Sequence, residues 1–120
     1  MAAQDPFVAY LLELVSPLGG VAARRMFGGW GIYVDGAMIG LVAEEAFYLK
    51  TDGESRAAFE AAGSSPFVFE GRGRIVETSY WSVPEQALDA PDAMRPWAQR
   101  ALDAARRKAA AKKPRRKRAS

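Results

Sequence analysis

The chain has 120 residues, 49% apolar and 26% charged, enough for one small domain with one core. It contains no cysteine and no histidine, which excludes disulfides, thiolate catalysis, cysteine metal sites and any chemistry that needs an imidazole. Its net charge of +3 is divided: residues 1–105 hold eight Lys and Arg against all fourteen Asp and Glu, a net of −6, and residues 106–120 hold nine Lys and Arg and no acid, a net of +9.

Asp5-Pro6 predicts a helix start, with an aspartate cap and proline at the first helical position. Phe7, Val8, Leu11, Leu12 and Val15 follow at helical spacing. Pro17 and Gly19-Gly20 end that helix, and Val21 to Phe27 reads as a lead-in to a meander. Ile32 to Val34 is the first expected strand, and Asp35-Gly36 is a tight-turn signal. Ala37 to Ala43 is the second strand, Glu44-Glu45 a turn, and Ala46 to Lys50 the third strand. Ile39, Leu41, Phe47 and Leu49 are expected in one layer, with Met38, Val42 and Tyr48 in the other, as in a sheet covered on much of both sides.

Thr51 or Asp52 caps a second helix over roughly Glu54 to Ala62, stopped by Gly63. After the Ser64-Ser65-Pro66 loop come a strand from Phe67 to Glu70, a turn at Gly71-Arg72-Gly73 and a strand from Arg74 to Val83. Pro84 to Leu88 reads as one helical turn. Met94, Trp97, Ala98, Ala101, Leu102 and Ala105 then form one apolar helical face. That helix can continue to about residue 111. Pro114 stops it, and the final basic run is expected to be disordered. The order α-β-β-β-α-β-β-α predicts an α+β fold, an antiparallel meander with flanking helices. Residues 1–105 are the expected domain and 106–120 its basic tail.

No apolar run approaches the roughly eighteen residues of a membrane span, and MAAQDPFVAY lacks the basic and apolar regions of a secretory signal. The expectation is a cytoplasmic protein. The glycines of RRMFGGWGIYVDG precede a strand, whereas a phosphate cradle follows a strand and opens a helix. They read as a bend leading into a strand. Arg24 and Arg25 beside Trp30, Tyr33, Tyr48 and Tyr80 allow stacking and phosphate contact, but the acidic body opposes a phosphate polymer and strand aromatics are commonly core. The two arginines remain candidate partner contacts. Glu44, Glu45, Glu77 and Glu85 are scattered, with no spacing that pairs two carboxylates across a cleft.

The run Arg106, Arg107, Lys108, Lys112, Lys113, Arg115, Arg116, Lys117 and Arg118 can neutralise phosphates of DNA or RNA without reading sequence. The plainer reading is a solubilising extension, or one that folds back on the acidic body.

The stretch RRMFGGWGIYVDGAMIGLVAEEAFYLKTD, with Phe67, SYWSVPEQAL around Tyr80 and Pro84, and Trp97 on an alanine-rich last helix, resembles the N-terminal domain of the TfoX/Sxy competence regulators over roughly residues 5–108. The resemblance implies a compact, secretion-chaperone-like α+β domain, often a homodimer, with no catalytic residues and no cofactor. It also implies association with transcriptional activation of DNA-uptake genes. The full regulators carry a second, C-terminal domain of helix-hairpin-helix character, and the expectation here is the N-terminal domain without it, with a basic tail in its place. The leading expectation is a non-enzymatic regulatory or adaptor domain that binds a protein, including another copy of itself, with nonspecific nucleic-acid affinity in the tail. The alternative is a chaperone-like interaction module whose tail only solubilises. An enzyme ranks third, and a pocket joining Lys50, Tyr80 and a buried Glu would reopen it.

Overall fold

The computed structural model describes residues 5–26 and 28–112, with the backbone alone for Lys112. The first helix, α1, spans Pro6–Val15. The Asp5 carboxylate accepts the Phe7 amide at 2.7 Å, satisfying one of the free N–H groups of the first turn. Val8, Leu11, Leu14 and Val15 are buried, and the Tyr10 hydroxyl donates to the Leu88 carbonyl. A 3₁₀ turn at Ser16–Leu18 leads into an antiparallel sheet of six strands: β1 (Val21–Met26), β2 (Gly29–Val34), β3 (Ala37–Ala43), β4 (Ala46–Lys50), β5 (Pro66–Gly71) and β6 (Arg74–Ser82), in the order β1-β2-β3-β4-β6-β5. Helix α2 (Arg56–Ala61) lies between β4 and β5. A second 3₁₀ turn at Glu85–Asp89 precedes α3 (Pro91–Lys112). No helix of the described residues is long and apolar enough to cross a membrane.

The α+β architecture with an antiparallel sheet is as expected, with one strand more. The segment read as a lead-in is edge strand β1, paired with β2 from Val21↔Val34 to Met26↔Gly29. Its two alanines and adjacent arginines give no clean apolar alternation, because an edge strand buries little. The strand expected to start at Ile32 begins at Gly29. Gly29 and Gly31 lie within it, and the bend is at Gly28, with φ +79. Gly29 lies so close to the Val42 carbonyl that a Cβ there would overlap it.

The expected division of apolar residues between two covered faces is corrected by the structure. A β-bulge shifts the β2–β3 register between Ile32 and Tyr33, pairing Ile32 with Gly40 but Tyr33 with Met38. The extra residue, Ile39, breaks the two-residue period. Ile39 and Val42 therefore join Ile32, Val34, Phe47, Leu49 and Trp81 in the buried core beneath α1, Phe59 of α2, and Met94, Ala98, Ala101 and Leu102 of α3. Leu41, paired with Tyr48, lies with Tyr33, Met38 and Tyr80 on the opposite face, where all are partly exposed.

Three hairpin turns have positive φ at both central residues: Asp35 and Gly36 at 49 and 84, Glu44 and Glu45 at 54 and 64, and Arg72 and Gly73 at 55 and 77. This is the turn geometry whose twist matches paired strands.

Helix α3 runs beyond the expected domain boundary at residue 105, through 106–112. Acids of the folded body lie against the first of these added residues. An Arg106 guanidinium nitrogen lies 4.0 Å from the Asp35 carboxylate, and Arg107 lies 2.7 Å from that of Asp52.

Candidate functional site

Three places on the molecule concentrate exposed chemistry. The first is the Arg24-Arg25 pair of β1. Neighbours on a strand point to opposite faces, so the two do not form one basic patch. The Arg24 guanidinium sits 5.6 Å from the centroid of Tyr33, and that of Arg25 sits 5.2 Å from Trp30. Each arginine covers an aromatic ring at a sheet edge, a contact that holds the side chain in place.

The second place is the notch where the end of β4, the loop to α2 and the last turns of α3 meet. Asp52 organises it. Its Oδ1 accepts the amides of Glu54 at 3.0 Å and Ser55 at 3.1 Å, and Ser55 Oγ accepts the Asp52 amide at 3.0 Å. This reciprocal arrangement resembles a capping box. Arg107 donates Nε to Oδ2 at 2.7 Å and Nη2 to Oδ1 at 3.0 Å, and its Nε lies 3.4 Å from Glu54 Oε2. The Arg107 hydrogen bonds, helped by the Ser55 and Glu54 amides, lower the Asp52 carboxyl from 3.8 to about 2. The same bonds raise Arg107. Of the two candidate caps, Asp52 closes the turn that leads into α2, whose N-cap position is Ser55 and carries no side-chain cap bond. Thr51 is buried and donates instead to the Ser79 carbonyl at 2.9 Å.

Lys50 is only 7% exposed. Its Nζ donates to Ser79 Oγ at 2.6 Å and sits 5.2 Å from the Tyr80 ring centroid. Burial pushes the Lys50 ammonium below its usual pKa and the Lys108 charge lowers it further, with Asp52 acting the other way. Burial likewise raises the Tyr80 phenol. Lys50 and Tyr80 thus meet as the enzyme reading required. The buried Glu does not join them: the buried polar residues among those described are Lys50, Thr51 and Ser55. The notch encloses about 560 Å³, and a smaller cleft of about 300 Å³ adjoins it at Lys50 and Lys108, lined also by Met38, Tyr80 and Ala105.

The third place is the β5–β6 hairpin. β6 pairs with β4 only over Tyr80–Ser82, whereas Arg74 to Glu77 pair with β5 alone, so the hairpin leaves the sheet as a two-stranded ribbon. Val68, Phe69, Ile75 and Val76 on it are exposed, Ile75 by 70%. Phe67 packs against Tyr48 and Phe69, with ring centroids 5.0 and 6.5 Å away. A cleft of about 460 Å³ runs between this aromatic end of the ribbon and Met26, Trp30 and Leu41.

Of the basic run, Arg106, Arg107 and Lys108 stand on α3. Arg106 and Arg107 face acids, and Lys108 is exposed. The Lys112 side chain, Lys113, Arg115, Arg116, Lys117 and Arg118 lie outside the described residues. The Asp52–Arg107 pair, 55 residues apart, carries no sequence signal. The apolar ribbon was visible as residues, but its lack of cover was not.

The family model for TfoX N-terminal domains matches residues 13–105. The chain is also 31% identical over 94 residues to a DNA transformation protein, TfoX1, of Aliivibrio fischeri (strain ATCC 700601 / ES114). That match covers 78% of this chain and 45% of the relative, so the chain spans less than half the relative's length.

Proposed function

This chain belongs to the TfoX N-terminal domain family, and from that premise we propose that it is a non-enzymatic regulatory domain of DNA-uptake control that works by docking a second copy of itself. The supporting observation is the β5–β6 ribbon. Large apolar side chains on its two faces, Phe69 and Val76 against Val68 and Ile75, meet water. Single exposed hydrophobics are ordinary, but two large ones together on each face of a protruding hairpin suit an interface. A two-stranded ribbon with unpaired edges can also add strands to a symmetric mate. The basic run from Lys108 onward supplies nonspecific affinity for DNA.

Sedimentation of the full chain and of Ile75→Ser with Val68→Ser tests the docking. The wild type is expected to sediment as a dimer, and the variant as a folded monomer. Equal sedimentation of both as monomers overturns the reading. A truncation after Ala105 is a poor test of the tail, because it cuts α3 and removes Arg107 from Asp52. Glutamine at Lys113, Arg115, Arg116, Lys117 and Arg118 leaves that pair intact. The full chain is expected to bind duplex DNA with steep salt dependence, and this variant to lose most of that binding.

A second reading, a chaperone-like module that holds a partner's apolar peptide, is favoured by the cleft at Met26, Trp30, Leu41 and Phe67. It predicts one stoichiometric protein partner in a pull-down, unchanged by nuclease or by the glutamine variant.

A further inference from the structure

We infer that the notch between the end of β4, Ser79 and the last turns of α3 binds the dianionic phosphoryl group of a phosphate monoester. This site is separate from the docking ribbon and does not depend on it.

The first argument is charge left without a counter-ion. Lys50 is more than nine-tenths buried, and a buried ammonium is stable only when paired or well hydrogen-bonded. No carboxylate oxygen of the described residues lies within 4.0 Å of Lys50 or Lys108. The nearby acid, Asp52, is already occupied by two Arg107 donors and two backbone amides. Glu54 lies against Arg107 as well. Two lysines therefore line the same notch and its adjoining cleft, and the neighbouring acids are turned toward Arg107.

The second argument is donor geometry. Lys50 gives one of its three N–H groups to Ser79 Oγ at 2.6 Å, leaving two to donate. Having accepted from Lys50, the Ser79 hydroxyl keeps its own proton to donate. Lys108 adds a charge on a flexible stem. Two cations and a hydroxyl match the charge and oxygen count of a monoester dianion better than a carboxylate or phosphodiester, each of which carries a single charge.

The third argument is space. The phosphoryl group fits the notch beside Lys50, Ser79 and Lys108, and the adjoining cleft at Met38, Tyr80 and Ala105 offers a wall for an organic body. The Tyr80 ring, held beside Lys50, provides a face for a flat group to lie on.

Titration of the isotope-labelled full chain with phenyl phosphate, followed by amide shifts, tests the site. The expected result is saturable binding of one equivalent that moves the Ser79, Tyr80 and Lys108 amides. Inorganic phosphate should move the same amides with weaker affinity, and benzoate should move them little. Lys50→Met and Lys108→Met should each weaken phenyl phosphate at least tenfold, and Arg115→Gln with Arg116→Gln should leave it unchanged. Lys108 is exposed, so its variant tests the site even if Lys50→Met fails to fold. The inference is overturned if phenyl phosphate does not saturate, if Lys108→Met binds as the wild type does, or if the Arg115/Arg116 variant abolishes binding. A short DNA duplex that competes with phenyl phosphate only through the Arg115/Arg116 region separates this monoester site from polymer binding.

Discussion

Replacing Asp52 by Asn keeps the side chain's size and removes its charge. In the folded chain the Arg107 hydrogen bonds, with the Ser55 and Glu54 amides, hold the Asp52 carboxyl at about 2 rather than 3.8. At roughly 1.4 kcal/mol per unit, that difference bounds the contribution of the ionised form at about 2.5 kcal/mol. The side chain is 26% exposed, and water screens part of the interaction, so the expected loss for Asp52→Asn at neutral pH is about 1–2 kcal/mol. For a domain of this size that lowers the melting temperature by about 3–8 °C.

The pH dependence gives the sharper readout. A carboxyl whose folded pKa lies below its unfolded value contributes stability that is complete above the unfolded pKa and disappears as pH falls through the folded one. The wild type should therefore lose this increment between about pH 4.5 and pH 2. Asp52→Asn, already without it, should lose less stability over the same interval. Urea denaturation at several pH values, monitored by the fluorescence of Trp97 and Trp81, measures both. If the two proteins lose stability in parallel, Asp52 does not hold α3 to the β4–α2 loop through its charge. Arg107→Gln should return the Asp52 titration, followed by carbon NMR, toward 3.8, which no purely local effect of the capping amides would do.

Gly29→Ala is expected to destabilise the chain by about 2 kcal/mol or more in the same denaturation assay, because the added methyl meets the Val42 backbone carbonyl and strands β2 and β3 must separate to admit it. Gly36→Ala is strained only by its φ of +84, with nothing within 4 Å of the new Cβ, and should cost less, about 1 kcal/mol. Glu44→Asn with Glu45→Gly should raise stability by about 1 kcal/mol, because both positions sit at positive φ in a turn that asparagine and glycine adopt with less strain. A melting temperature equal to or below that of the wild type would refute the last expectation.

Local signals in the sequence carried much of the fold. Asp5-Pro6 marked the start of α1, Asp35-Gly36 and Gly71-Arg72-Gly73 marked hairpins, and the alanine-rich apolar face marked α3. Each depends on residues within a turn or two of one another. The errors arose where a distant partner decided the outcome. β1 becomes a strand because β2 pairs with it, and its own residues alternate too weakly to announce that. The bulge at Ile39 inverts which residues of β3 face the core, and only the pairing with β2 reveals it. The notch was half legible: Asp52 read as a cap and Lys50 with Tyr80 read as a pair. Arg107 and Lys108, which complete it, were grouped by composition with the basic run that follows them.

The nine cations from Arg106 onward are not equivalent. Arg106 and Arg107 lie on α3 against Asp35 and Asp52, so part of the body's negative charge is used to fix the last turns of the helix. A polyanion competing for them would have to break ion pairs that also orient the β2–β3 turn and the β4–α2 loop. Lys108 differs from both: it lines the notch with Lys50, which has no carboxylate of its own among the described residues. The acids that would have quenched that pair are turned toward Arg107 instead. The bond network that stabilises the helix end is therefore what leaves the neighbouring notch positively charged, and the two properties cannot be altered independently at Asp52. Removing the Asp52 charge loosens α3 and takes away the notch's nearest negative group, whereas removing Lys108 empties part of the notch and leaves the Asp52–Arg107 clamp in place.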